Sequence, residues 1–131
     1  MSVTPTYPDQ LSLRVGPVSA VDLALFAAAS GDHNPLHLDA TVARSAGFER
    51  PVVHGMYTMA CAARLFSSHF GSARVQALQT RFSGVALLGD VLSLAAALTE
   101  VRDGCAHYAL TARTESGTEI VQGSARVGPA A

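Results

Sequence analysis

The sequence predicts an α+β fold in which an antiparallel sheet wraps around one central apolar helix, and three observations carry that prediction. The second half alternates apolar and polar residues between turn signals, as consecutive hairpins do. Segment 55–70 is apolar nearly all the way round a helix. The chain has 131 residues, of which 49% are hydrophobic, which is the size and composition of one domain with one core. Sheet and helix therefore share a single domain over residues 1–131.

Taken in order, residues 11–15 (LSLRV) alternate and predict a short strand. Ser19 followed three residues later by Asp22 forms a capping-box pattern, and Val21, Leu25, Ala28 and Ala29 then recur at helical spacing. That helix ends at Gly31, where GDHNP concentrates turn formers. A short second helix is expected over about 39–46, before Gly47. The segment GMYTMACAARLFSSHF contains no Asp or Glu, so a helix there is expected to be buried on most sides. Its 16 residues would run roughly 24 Å. Strands follow at about 74–82, 90–102, 105–114 and 118–128. Asp103-Gly104 is a strong hairpin signal between two of them, and Glu115-Ser116-Gly117 a good one between the next two. Ala106, Tyr108, Leu110 and Ala112 share one face, with His107, Thr111 and Arg113 on the other; Val121, Gly123, Ala125 and Val127 repeat the pattern. Stretch 91–98 is apolar on both faces, which predicts a central strand.

The composition also excludes partners. Nine Lys and Arg against ten Asp and Glu give a net charge of −1, and no basic stripe provides the footprint of a nucleic-acid binder. Charged residues are only 15% of the chain, a shortage that fits surface hidden in an oligomer, although a high alanine content has the same effect on the count. Cys61 and Cys105 lie far apart in apolar stretches and read as reduced core residues of a cytoplasmic protein. Residues 1–10 have no apolar leader core, and the stretch around 56–66 is too short to span a bilayer, so no membrane partner is expected.

The chemistry concentrates in Ser30-Gly31-Asp32-His33-Asn34-Pro35-Leu36-His37-Leu38-Asp39. Pro35 removes a backbone donor and disfavours helix at Asn34, while Gly31 permits a positive φ just before Asp32. The result is a kinked loop able to turn Asp32 and His37 toward one point, where a carboxylate and an imidazole make an acid–base pair. The same residues also make ordinary turns, and loop histidines are commonly just solvated. A metal set of Asp32, His33, His37 and Asp39 has no Cys or distant carboxylate to complete it, so no metal is expected. The second feature is Pro51-Val52-Val53-His54-Gly55-Met56, which opens the apolar helix. Free N–H groups there form a ready oxyanion site, and Gly55 lets a carbonyl oxygen approach the backbone; a glycine at a helix start also serves close packing. His54 is read as a cap or packing residue without a chemical role.

The run ASGDHNPLHLD followed by FERPVVHGM resembles the signature of the MaoC-like, R-specific enoyl-CoA hydratase family, which also includes β-hydroxyacyl dehydratases of the same hot-dog fold. Arg81-Phe82 and Gly89-Asp90 fall where that family tends to have such residues, so the resemblance spans most of the chain. It implies a single hot-dog domain, a homodimer, and reversible hydration of a trans-2-enoyl thioester of coenzyme A or acyl-carrier protein to the (R)-3-hydroxyacyl thioester. Asp32 and His37 match the family's catalytic residues, and Gly55 the glycine whose N–H holds the thioester oxygen. Asn34, Met56 and Thr58 are then candidates for the substrate pocket. No metal or redox cofactor is implied, and no dinucleotide-binding glycine pattern is present. Arg44, Arg50, Arg81 and Arg102 are candidate phosphate contacts. The chain departs from the pattern at Val85, where many members have Pro. It departs again at Ala62 and Ala63, where some carry a hydroxyl close to the dyad; Thr58 is the nearest substitute. Three rivals remain: a hot-dog acyl-thioesterase, a non-catalytic acyl-thioester-binding subunit, and a purely structural domain without a ligand, which the two convergent polar sites disfavour. The first fits poorly with a central helix that has no carboxylate, the second with the presence of both dyad residues.

Overall fold

The structure, a computed structural model, describes residues 6–129; the outermost ends of the 1–131 domain, and residues 1–5 of the segment read above as lacking a leader, lie outside the described residues. Its elements are β1 (Gln10–Val15), α1 (Ala20–Ser30), a 3₁₀ turn (Pro35–His37), α2 (Ala40–Ser45), α3 (Gly55–Phe70), a second 3₁₀ turn (Ser72–Arg74), β2 (Val75–Phe82), β3 (Leu92–Arg102), β4 (Cys105–Thr114) and β5 (Glu119–Val127). The five strands form one sheet in the order β1-β3-β4-β5-β2, with every neighbouring pair antiparallel. Asp103 (φ 53°) and Gly104 (φ 77°) are both left-handed. A two-residue hairpin turn needs that pair, because its twist then matches the strands it joins.

The inner face of the sheet is the face the alternation marked. Tyr108, Leu110, Ala112, Val121 and Ala125 are buried together with Cys61, Ala62, Leu65 and Phe66 of α3. Fully covering one such leucine contributes about 1.5–3 kcal/mol. β3 is interior to the sheet, as expected, but covered on one side only: Leu92, Leu94 and Ala96 are buried while Ser93, Ala95 and Ala97 are exposed. The central helix is likewise one-sided within the chain, since Met56, Ala60 and Arg64 are exposed. The larger correction concerns α1. Its capping box forms as predicted, yet Val21 and Leu25 are each 65% exposed, Ala28 and Ala29 are also exposed, and Leu23 and Ala27 face the core instead. Alanine-rich helices present weak stripes on several sides, so spacing alone did not select the buried one.

Two close backbone contacts hold β2 and the residues just after it against β5. A Cβ on Gly123 would stand 2.1 Å from the Gln79 carbonyl oxygen, and one on Gly84 would stand 2.2 Å from that of Glu119. The chain beyond β2 then runs alongside the residues that precede α3. Val53 N–H donates to the Ala86 carbonyl (2.9 Å) and Leu88 N–H to that of Pro51 (2.8 Å). Arg50 clamps this pairing by donating from Nε to the Leu88 carbonyl (2.7 Å) and from Nη2 to Asp90 Oδ1 (3.3 Å). The start of α3 is thereby fixed against the sheet's edge loop.

Candidate active site

Gly31 closes α1 in the left-handed conformation (φ 78°), donating its N–H to Ala27, and turns the chain into an exposed loop. Side chains replace missing backbone partners there. Asp32 Oδ1 accepts from Asn34 N–H (3.3 Å), and Asn34 Oδ1 accepts from Leu36 N–H (3.0 Å), capping the 3₁₀ turn that Pro35 begins. That turn delivers His37 inward, its side chain 11% exposed.

His37 Nδ1 lies 2.6 Å from the Val52 carbonyl oxygen. A carbonyl only accepts, so Nδ1 carries the hydrogen and the neutral ring presents a bare Nε2. Nε2 lies 3.6 Å from Asp32 Oδ2, whose side chain is half exposed. That is too far for a direct hydrogen bond, and both atoms are acceptors. A water between them can give one hydrogen to each.

His54, read above as a cap or packing residue, is the N-cap of α3 and packs against the candidate site. It is 1% exposed and stacks on His37, with ring centroids 3.8 Å apart and planes 20° from parallel. Phe26 meets it edge-on at 4.9 Å. Its Nε2 lies 3.2 Å from the backbone carbonyl oxygen of Asp32, while its buried Nδ1 has no hydrogen-bond partner among the described residues. Burial holds this imidazole below the ordinary histidine range, against the opposing effect of the bond to the Asp32 carbonyl. An unpaired buried polar atom costs about 1–3 kcal/mol. The available signal was a histidine inside an otherwise apolar run, since such a group is buried only with a polar partner.

At the start of α3, the N–H groups of Gly55 and Met56 have no acceptor among the described residues. Gly55 borders a cavity of about 200 Å³ together with His37, Thr58, Phe82, Val85 and Ile120. A Cβ on Gly55 would meet the Phe82 ring at 3.3 Å, so the helix start, the aromatic ring and the cavity mouth are close-packed. A second, mostly apolar cavity of about 520 Å³ also reaches His37, between Ala24, Leu38, Pro51 and Leu88.

The structure thus brings His37, Gly55 and Thr58 to one cavity, and Asp32 to His37 without lining that cavity. It does not bring Asn34 or Met56 to the cavity: Asn34 is exposed and occupied as a cap, and Met56 is 56% exposed. Phe82 and Ile120 reach the site from β2 and β5, a meeting that only tertiary structure reveals. Of the four arginines, Arg50 is committed to Asp90, Arg102 pairs with Glu100, and Arg44 and Arg81 are exposed without an ion pair among the described residues. Ligand-type atoms of Asp32, His37 and His54 lie within 4.8 Å of one another.

An antiparallel sheet wrapped on one helix defines a hot-dog-fold domain. More narrowly, the chain belongs to the MaoC-like family: the family model described as MaoC like domain matches residues 6–120. It is 35% identical over 122 residues to the (R)-specific enoyl-CoA hydratase of Aeromonas caviae, covering 90% of this chain and 89% of that one. It is 37% identical over 94 residues to the mitochondrial 3-hydroxyacyl-[acyl-carrier-protein] dehydratase of Arabidopsis thaliana, covering 66% and 57%. The chain spans only 7% of the peroxisomal hydratase-dehydrogenase-epimerase of Saccharomyces cerevisiae, with 39% identity over 67 residues. Its fold superimposes on an (R)-hydratase from A. caviae with a TM-score of 0.87 at 27% identity, covering 98% of this chain and all of the other. The enzymes named here as hydratases and dehydratases are hydro-lyases. No helix among the described residues is long and apolar enough to cross a membrane.

Proposed function

We propose that the protein reversibly hydrates trans-2-enoyl thioesters, carried by coenzyme A or an acyl-carrier protein, to (R)-3-hydroxyacyl thioesters. The observation that carries this reading is the pair of acceptors, His37 Nε2 and Asp32 Oδ2, held 3.6 Å apart beside a cavity that Gly55 borders. In this reaction C3 becomes electrophilic only as the thioester carbonyl takes up negative charge. The Gly55 N–H, free at the helix start, would bond that oxygen more strongly in the enolate-like transition state than in the ground state. A water held by the dyad attacks C3, its proton passes to the dyad, and a proton returns to C2. Polarisation by an N–H donor leaves no step for a metal or redox cofactor. Thr58, buried at the cavity wall, is the hydroxyl nearest the role that Ala62 and Ala63 cannot fill.

The thioesterase reading draws no support from α3, which has no Asp or Glu. We also read the protein as a homodimer, because Val21, Leu25, Met56, Phe82 and Val85 are exposed apolar side chains. The test follows loss of the conjugated double bond of crotonyl-CoA. Hydration with an intact thioester, lost in Asp32→Asn and His37→Ala, is the expected result. Release of free thiol would replace this reading with a thioesterase, and silence toward both coenzyme A and carrier-protein thioesters would replace it with a binding subunit.

A further inference from the structure

The stacked histidine pair extends the proposed site by one residue. We propose that His54 is a positioning residue for the acid–base pair, holding Asp32 through its backbone carbonyl and His37 through the face of its ring. This inference rests on the hydratase reading above for its kinetic consequence, but not for its structural one.

Four observations converge. His54 is 1% exposed, so its orientation is set by packing rather than solvent. Its Nε2 faces the Asp32 carbonyl oxygen at 3.2 Å, and a carbonyl only accepts, so this nitrogen carries the hydrogen. The ring lies against His37 at 3.8 Å while Phe26 closes its other approach edge-on at 4.9 Å. Nδ1 is left buried and bare, the state of a neutral ring whose hydrogen is already on Nε2. One side chain therefore touches both members of the dyad from behind, across 22 residues of chain to Asp32 and 17 to His37. Asp32 itself sits in an exposed loop after a glycine, its backbone held by Ser30 Oγ on the N–H (3.2 Å) and by His54 on the carbonyl.

The neutrality of the ring has a chemical use. When His37 takes the proton of the attacking water it becomes a cation, and an aromatic face stacked on it accommodates that charge. A second cation at that distance would oppose it. Burial disfavours a charge on His54, and the charged groups facing it are those of the dyad itself. His54 touches no reacting atom in this scheme; it acts through Asp32 and His37.

The test separates the two contacts. His54→Gln keeps a donor for the Asp32 carbonyl and removes the stack, whereas His54→Phe keeps the stack and removes the donor. In folded variants with an unchanged melting profile, kcat for crotonyl-CoA is expected to fall about 100-fold in His54→Phe and about 10-fold or more in His54→Gln, with KM nearly constant, as misplacement of catalytic groups produces. A kcat within twofold of the wild type in both variants, or a rise in KM alone, would overturn the proposal. Nitrogen-15 NMR of the wild-type imidazoles provides a reading independent of turnover and of whether the variants fold. One neutral, non-titrating ring protonated at Nε2 is expected. A His54 ring protonated at Nδ1, or five histidines all titrating in the ordinary range, would sink the idea even if hydratase activity were found. Conversely, the expected NMR signature without any hydration would leave the histidine geometry standing and remove the enzymatic reading.

Discussion

The β3–β5 meander and the stretch from Gly31 to Gly55 are built on opposite principles. In the meander, side chains alternate faces, backbone groups pair in ladders, and the turn at Asp103-Gly104 is the one the strands require. In the other stretch, Asn34 and Asp39 side chains substitute for backbone partners, residues 31–35 are all exposed, and a buried ring nitrogen is left unbonded. The first region keeps its ladders apart from one register irregularity in each pairing, at Leu98/Glu100 and Ala112/Arg113, whereas the second breaks several local rules within one short segment. Rule-breaking of that kind costs stability, and it persists where geometry for chemistry is gained in return. The comparison divides the molecule into a sheet that carries stability and a loop-plus-helix start that holds the candidate site.

That division can be broken with two substitutions. His37→Ala is expected to lower kcat on an enoyl thioester by about 10²–10⁴-fold, the worth of a positioned acid–base group, while chemical denaturation shifts little. Leu110→Ala, at a core position 1% exposed, is expected to cost about 2–5 kcal/mol in urea unfolding and to leave kcat per folded molecule nearly unchanged. If the leucine variant lost activity in proportion to the histidine variant while still folded, the two regions would not be separable and the comparison would fail.

The two regions also differ in how far they could be read from sequence. The hairpins were legible because a period of two and a Gly-containing turn are local signals, and α3 was found at its full extent. The face of α1 was not, because Ala24, Ala27, Ala28 and Ala29 blur the stripe and only packing selects Leu23 and Ala27. In the site, Asp32 and His37 were visible from the turn chemistry around Pro35 and the motif they belong to. His54 was not, because its importance lies in a ring stack and a carbonyl contact that cross 17 and 22 residues of chain. Phe82 and Ile120 were equally invisible, since they reach the cavity through the β2–β5 pairing.

A sharper probe removes one hydrogen. Gly55 is the first residue of α3, a position that tolerates proline because its N–H has no helical partner. His54 already has the extended conformation a following proline demands (φ −54°, ψ 133°). Gly55→Pro is therefore expected to fold with nearly wild-type stability, yet to lose about 10²–10³-fold in kcat, the usual worth of one oxyanion donor. Gly55→Ala keeps the N–H and asks only that Phe82, half exposed, move by a few tenths of an ångström. It should retain most of its activity. Equal losses in the two variants would show that Gly55 serves close packing and not the thioester oxygen.

The mildest effect comes from pH. His54 is held below the ordinary histidine range by burial, so the folded protein resists a proton that the unfolded chain accepts near pH 6.5. The unfolded state then binds more protons, stability rises with pH across that window, and it falls as the solution is acidified below about pH 6.5. One such group limits the slope to about 1.4 kcal/mol per pH unit. Urea midpoints at pH 7.5 and 5.5 should therefore separate more for the wild type than for His54→Phe, which has no proton to refuse. Because His54 faces both Asp32 and His37, a steeper acid dependence in the variant would mean that the dyad, and not the ring behind it, governs the response. The functional region would then also be where acid first destabilises the fold, while the meander keeps its pairing.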